Sequence, residues 1–183
     1  EGNAVWSFTI SFFEDWELQT QEKIDRLFYK VDQESFNLNN SITPYADVSI
    51  NNQLNAKNIL LHMISNAKKY VYVSSPYLII DYELENAFSQ AAKRGIDVRI
   101  LIPEIPDKKL IYMVSLSYAK DLAKNNVKIY KYTPGFNHAK ALLVDGQAAN
   151  VGTTNFDYRS FFLHFENNVY FEDAVPGNMV SDY

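Results

Sequence analysis

The chain has no cysteine, only three histidines, and six glycines in 183 residues. Without cysteine there is no disulfide and no thiolate metal site, and three histidines set far apart make a zinc cluster a poor expectation. Long apolar runs are missing too. None approaches the ~18 residues that a membrane helix needs, and the first residues show no basic stretch followed by an apolar one. The segment itself is therefore expected to be soluble. Runs of Lys or Arg are also absent, and a net charge of −5 gives no footing for a broad nucleic-acid surface. What the chain does have is apolar mass. At 47% hydrophobic and 21% charged residues it can fill one well-buried domain and is short for two.

Residues 5 to 10 carry too many β-formers to decide between strand and helix, and helical spacing sets in at Phe12. Residues 32 to 55 are polar, rich in Asn and Ser, and contain Pro44, which predicts an irregular connection. Residues 1 to 54 are accordingly read as a connecting portion and 55 to 172 as the core of a single domain, 1–183. In that core, Leu60, Met63, Ile64 and Ala67 recur with helical spacing, and His62 among them reads as structural. Tyr70 to Ser75 predicts a strand that Pro76 ends. Asp81 can cap a helix with the stripe Leu84, Ala87, Phe88 and Ala91, closed by Gly95. Ile96 to Ile102 is a second strand. Asp107 opens a further helix to Lys124, with Leu110, Met113, Val114 and Ser117 on one face, and Asn125-Asn126 turns it into the strand Val127 to Tyr132. Strand, helix, strand in this order predicts parallel pairing. Asp145-Gly146 suits a hairpin turn returning as Gln147 to Val151, and Asn168 to Glu172 reads as a last strand. The expected fold class is α/β, a mixed sheet flanked by helices on both faces.

One stretch supports a catalytic reading over a bland one. Ala139 and Ala141 to Val144 form a short apolar run suited to a buried strand, and His138 and Lys140 stand at i and i+2. On an extended chain that spacing points an imidazole and an ammonium to the same side. Together they offer what an anionic phosphodiester requires: a nitrogen to attack phosphorus or carry a proton, and a cation for the non-bridging oxygens. Asp145 lies seven positions on, so parity sends it to the opposite face, where it should hold structure more than substrate. Gly152 permits close backbone approach, and Asn155 offers an amide.

The ordered set His138-x-Lys140-x4-Asp145-x6-Gly152-x2-Asn155 resembles the HxKxxxxD...GSxN signature of the phospholipase D superfamily, with Thr153 where Ser is usual. Asn155 to Ser160 and Phe165 to Asn168, with Ser75-Pro76-Tyr77 and Ala91 to Leu101, resemble segments of bacterial cardiolipin synthases, so the likeness covers roughly residues 59 to 172. Tyr45 to Ser49 does not reproduce the SGPD-like stretch of those enzymes, which leaves the lipid open. The resemblance implies a phospholipase D-like α-β-α sandwich and a candidate site of His138, Lys140, Asp145, Asn155 and Glu166, without metal or cofactor. It implies that Lys140 binds phosphoryl oxygens with help from Asn155, and that Glu166 bonds the other ring nitrogen of His138. His138 is implied to protonate the leaving group while a second histidine attacks. Asp157 and Arg159 are expected to order their loop as a local pair, and His164 to pack or cap within the aromatic run. Some of Phe161, Phe162 and Phe165 are expected to face lipid or a missing half.

The implied activity is phosphatidyl transfer, two phosphatidylglycerol molecules giving cardiolipin and glycerol through a phosphohistidine. Complete enzymes of that kind carry membrane segments and two copies of the signature, and one copy is present here. The expectation is the C-terminal lobe of a longer protein of the bacterial cell membrane, extending before Glu1, with phospholipid, the membrane surface and an upstream lobe as partners. The alternatives are a homodimeric phosphodiesterase or nuclease, for which alone nucleic acid would be a partner, and an inert lipid- or partner-binding lobe.

Overall fold

A computed structural model describes residues 3–31, 41–47 and 54–172. Helix α1 (Asn3–Thr20) settles the ambiguous start as one continuous helix, followed by a single 3-10 turn at Arg26–Tyr29. Strand β1 (Ser41–Asp47) comes next, then helix α2 (Asn55–Asn66) and strands β2 (Tyr70–Ser74) and β3 (Leu78–Ile79). Helix α3 (Tyr82–Lys93), strand β4 (Asp97–Pro103), helix α4 (Lys109–Lys124) and strand β5 (Lys128–Tyr132) complete the parallel half. The hairpin β6 (Ala141–Val144) and β7 (Ala148–Gly152), the short β8 (Phe156–Asp157), helix α5 (Tyr158–Phe162) and strand β9 (Glu166–Glu172) finish the described chain.

Seven strands form one mixed sheet in the order β1-β9-β7-β6-β2-β4-β5, and β3 pairs with β8 in parallel beside it. β2, β4 and β5 run parallel, as the strand-helix-strand succession predicts, and the remaining neighbours are antiparallel. Alternate residues of β2 and β4, namely Val71, Val73, Val98, Ile100 and Ile102, join Leu60 and Ile64 of α2, Leu84 and Phe88 of α3, and Leu122 of α4 in one buried cluster. Period-two burial along the strands therefore meets helical stripes on a shared face. The large mixed sheet with its flanking helices is the expected α/β class.

Two local outcomes differ from expectation. The polar stretch before Asn55 contains an edge strand: β1 pairs with β9, and Pro44 is tolerated there because an edge leaves its missing N–H unneeded. Of the Tyr45 to Ser49 stretch, Val48 and Ser49 lie outside the described residues. The second difference is α4. Its apolar stripe faces outward, Leu110 at 78% and Met113 at 66% exposure with Val114 also exposed, while Ser115, Ala119 and Leu122 are buried. Small side chains let this helix approach the sheet closely, so the apolar stripe was not its packing stripe. Asp107 does not cap α4 either. Its carboxylate accepts the Tyr77 hydroxyl instead, and Lys108 at the cap position makes no side-chain capping bond. By contrast Asp81 caps α3 as expected, accepting Leu84 N–H at 3.0 Å.

Candidate active site

His138 and Lys140 sit just before β6, at the sheet end where β2 and β4 finish, in the extended chain leading into Ala141. The strand proper begins at Ala141, two residues after the start of the apolar run at Ala139, yet the shared side holds: Lys140 Nζ lies 3.1 Å from His138 Nδ1 and donates to the His138 carbonyl at 2.8 Å. Asn137 fixes the approach by donating to Ser74 Oγ at 2.9 Å and accepting Ala139 N–H at 3.0 Å. The imidazole is stacked against Phe136, 5.4 Å between centroids, and meets the edge of Tyr77 at 6.4 Å.

β7 and β9 bring up the opposite wall. Gly152 lies against β9 so closely that a Cβ there would land on the Asn168 side chain and the Asn167 backbone, 2.6 Å from Asn168 Cα. That contact carries Thr153 to the Glu166 carboxylate, to which its hydroxyl donates, while Asn167 N–H donates to the same Thr153 oxygen at 2.9 Å. Glu166 is 4% exposed at the first position of β9. Its other partner is His164, with Nδ1 3.4 Å from Glu166 Oε1. Arg159 Nε donates to His164 Nε2 at 2.7 Å. With Nε2 accepting, the imidazole proton of neutral His164 sits on Nδ1 and faces Glu166.

These residues line one open cleft of about 590 Å³ that includes His138, Lys140, Thr153, Asn155, His164 and Glu166. Four of the five expected residues are therefore brought together. Asp145 is not: it ends the far side of β6, where its carboxylate accepts the N–H groups of Lys68, Lys69 and Tyr70, each at 2.8 Å. The bond expected between Glu166 and His138 is replaced by the bonds to Thr153 and His164. Asn155 does not reach Lys140 through a hydrogen bond. Its amide donates to Ser160 Oγ at 3.0 Å, and Asp157, accepting Ser160 N–H at 2.7 Å, caps α5 and holds that turn.

His164 and Thr153 are the lining residues that sequence reasoning passed over. His164 was assigned to packing, but it stands two positions before Glu166, and period-two spacing was the available signal that both side chains share a side. Of the three phenylalanines expected to face lipid or a missing half, Phe161 is buried in the core and Phe165 is exposed beside the cleft.

The two basic side chains paired in the cleft are both held below their ordinary values. Burial, and next the charge of Lys140, hold the His138 imidazole below its ordinary value, with Asp107 opposing. Burial also lowers the Lys140 ammonium, and the carboxylates of Glu166, Asp157 and Asp107 partly offset it. A phosphate entering between them would favour the charged form of both. Among the described residues no three His, Asp or Glu side chains gather as a metal site.

The profile of the family described as "Cardiolipin synthase, PLD-like domain" matches residues 60–182, two thirds of the chain and the whole of this cleft. The chain belongs to that family. A cardiolipin synthase of Alkalihalophilus pseudofirmus is 37% identical over 189 residues, covering 100% of this chain and 37% of its own length. One of Geobacillus thermodenitrificans is 43% identical over 129 residues, covering 69% of this chain and 26% of its own. The matched part of the chain thus spans between about a quarter and little more than a third of these relatives' length. Among solved structures, the phospholipase D family member Nuc of Salmonella typhimurium matches with a TM-score of 0.64 at 20% identity, over 78% of this chain and 88% of Nuc, which supports the fold.

Proposed function

We propose that this lobe carries one of the two histidine-lysine pairs of a phosphatidyltransferase that joins two phosphatidylglycerol molecules into cardiolipin, releasing glycerol. The observation that carries the reading is the pairing of His138 with Lys140 at 3.1 Å in an open cleft, in a chain whose curated relatives include several cardiolipin synthases. In the first step a histidine nitrogen bonds to phosphorus, the bond to the glycerol oxygen breaks, and that oxygen takes a proton. In the second step a glycerol hydroxyl of another phosphatidylglycerol bonds to the same phosphorus, gives up its proton, and the nitrogen-phosphorus bond breaks.

His138 suits the proton-carrying role of that pair. Lys140 donates toward Nδ1, so the neutral ring keeps its proton on Nε2, a donor aimed at oxygen and not a lone pair aimed at phosphorus. A bound phosphate raises the imidazole toward its charged form, and Lys140 holds the non-bridging oxygens. The complete protein would then act at the bacterial cell membrane, with an upstream lobe supplying the attacking histidine. Within the described residues no helix is long and apolar enough to cross a membrane.

The test is His138→Ala in the complete enzyme supplied with phosphatidylglycerol. Cardiolipin formation should vanish while folding is retained; retained synthesis would sink the assignment. A second reading, a phosphodiesterase that completes its site by pairing two identical lobes, draws support from the 88% of Nuc that one such lobe covers. Hydrolysis of a generic phosphodiester by the 183-residue chain alone, lost in His138→Ala, would favour it.

A further inference from the structure

The solvent face of α4 changes character along its length. Its first two turns expose Leu110, Ile111, Met113 and Val114, and its last two expose Ser117, Lys120, Ala123 and Lys124. The apolar half is the end next to the candidate active site, since α4 begins where β4 finishes and His138 lies at that same end of the sheet. Lys108 and Lys109 precede it and make no ion pair among the described residues, while the nearby acids are engaged, Glu104 with Lys131 at 4.0 Å and Asp107 with Tyr77. Beside this half lies a second cavity, of about 200 Å³, lined by Tyr77, Ile79, Ile111 and Tyr158, by the cations Lys108 and Arg159 and by the carboxylate of Asp157. It adjoins the main cleft at two points. Tyr77 touches the His138 ring, and Arg159 bonds His164.

We propose that the amino-terminal half of α4 is the face by which this lobe rests on an anionic phospholipid surface. The proposal rests on the phosphatidyl-transfer reading and adds the surface that delivers the substrate. An apolar ridge edged by lysines matches a bilayer interface whose headgroups are negative and whose acyl region begins a few ångströms below. Charge separates this ridge from the exposed apolar side chains of α1, and position separates it from Leu27, Phe28 and Val31 in and just after the 3-10 turn, which do not line the cavity at His138. On α1, Phe12, Trp16 and Leu18 are interleaved with Glu14, Asp15 and Glu17, which an anionic surface would repel.

The experiment is cosedimentation of the full 183-residue chain with vesicles of phosphatidylglycerol and phosphatidylcholine in equal parts, and with phosphatidylcholine alone. The chain should sediment with the first and far less with the second. L110D/M113D should weaken partition at least ~tenfold, since it places charge where acyl chains would lie. The milder L110S/M113S should fall between, and circular dichroism establishes that both are folded. K108E/K109E should weaken binding by more than about fivefold per lysine at low salt, and by less as salt rises. H138A should bind as the unaltered chain does, which separates docking from catalysis. If H138A still makes cardiolipin in the complete enzyme, the transfer reading falls without touching the vesicle result. The docking proposal is overturned if the folded chain ignores phosphatidylglycerol vesicles or if L110D/M113D binds them undiminished. It is equally overturned if the ridge proves to hold two protein chains together, seen as a dimer that L110D/M113D dissolves without vesicle binding.

Discussion

The two ends of the seven-stranded sheet are finished in opposite ways. At the end where β2, β4 and β5 begin, the turns are polar and their backbone groups are answered: Asp145 accepts three amides, Gly95 and Asn126 take left-handed conformations that close α3 and α4, and Asp97, held down to about 2 chiefly by Arg99, gathers Lys128 and Tyr72. None of the large exposed apolar side chains belongs to these turns. At the other end stand His138 and Lys140, the orphaned buried oxygens of Asn155 and Asn168, the exposed Phe136, Leu163 and Phe165, and the apolar half of α4. Open α/β sheets bind ligands outside the carboxyl ends of their parallel strands, and this sheet leaves that end unfinished. One end is spent on stability and the other is kept for chemistry.

The sharpest division of labour is between the two members of the signature that β6 separates, Lys140 and Asp145. Lys140→Ala in the complete enzyme should lower kcat by roughly 10²–10³-fold, the usual cost of removing a group that meets developing charge on an oxygen. Its melting temperature should scarcely move, since the ammonium is bonded to the adjacent His138 and spans no two elements. A large fall in melting temperature with turnover preserved would invert the comparison.

Gly152 is a structural position at the chemical end. Alanine there would push β7 off β9 at Asn167 and Asn168, a backbone collision that costs about 1–3 kcal/mol when a packed site must shift. The same shift moves Thr153 away from Glu166, so activity per folded molecule should fall alongside stability. Thermal melting with turnover measured on the folded fraction checks both. If only stability falls, the β7-β9 contact does not position the cleft.

Asp145→Ala tests the quiet end. Three amides lose a charged acceptor, but two of them are exposed and can turn to water, so about 1–3 kcal/mol is expected, with turnover per folded molecule unchanged. Backbone hydrogen bonds outweigh burial and hold the folded Asp145 carboxyl below its ordinary value. Its contribution is therefore complete above the ordinary carboxylate range and drains away as pH falls through and below it. Denaturant unfolding at pH 7 and pH 3 should show the mutant's deficit shrinking in acid. A deficit that grows in acid would mean that the carboxylate is not what binds these amides.

Much of this contrast was legible in the residues. Pro76, Gly95 and Asn125-Asn126 punctuate the core as the structure does, and parity along β6 sends Asp145 away from His138. The inverted face of α4 was not legible, because periodicity reports that an apolar stripe exists and not which way it faces. Here Ser115 and Ala119 pack inward since the sheet lies close, leaving Leu110 and Met113 outside. β1 was hidden for a related reason. Its pairing partner β9 is about 125 residues distant, and a strand that forms by meeting a remote edge leaves little trace in its own composition. Glu166 was found by its motif, but its partners were not, since they depend on where the loop after β7 meets β9.

The smallest effect tests the electrostatics of the chemical end directly. Lys140 holds the His138 imidazole down through its charge, so Lys140→Ala should raise the His138 pKa, whereas Asp145→Ala, at the far end of β6, should leave it in place. Proton NMR of the imidazole Cε1–H signals across pH 5 to 8 reads this out, with His138→Ala assigning its resonance among those of His62 and His164. Adding inorganic phosphate to the unaltered chain should move the same resonance in the same direction, because an anion between the two side chains cancels the field of the ammonium. A His138 titration that Lys140→Ala leaves alone would show that burial, the larger cause, is sufficient, and that the 3.1 Å contact does not set the proton affinity of the ring.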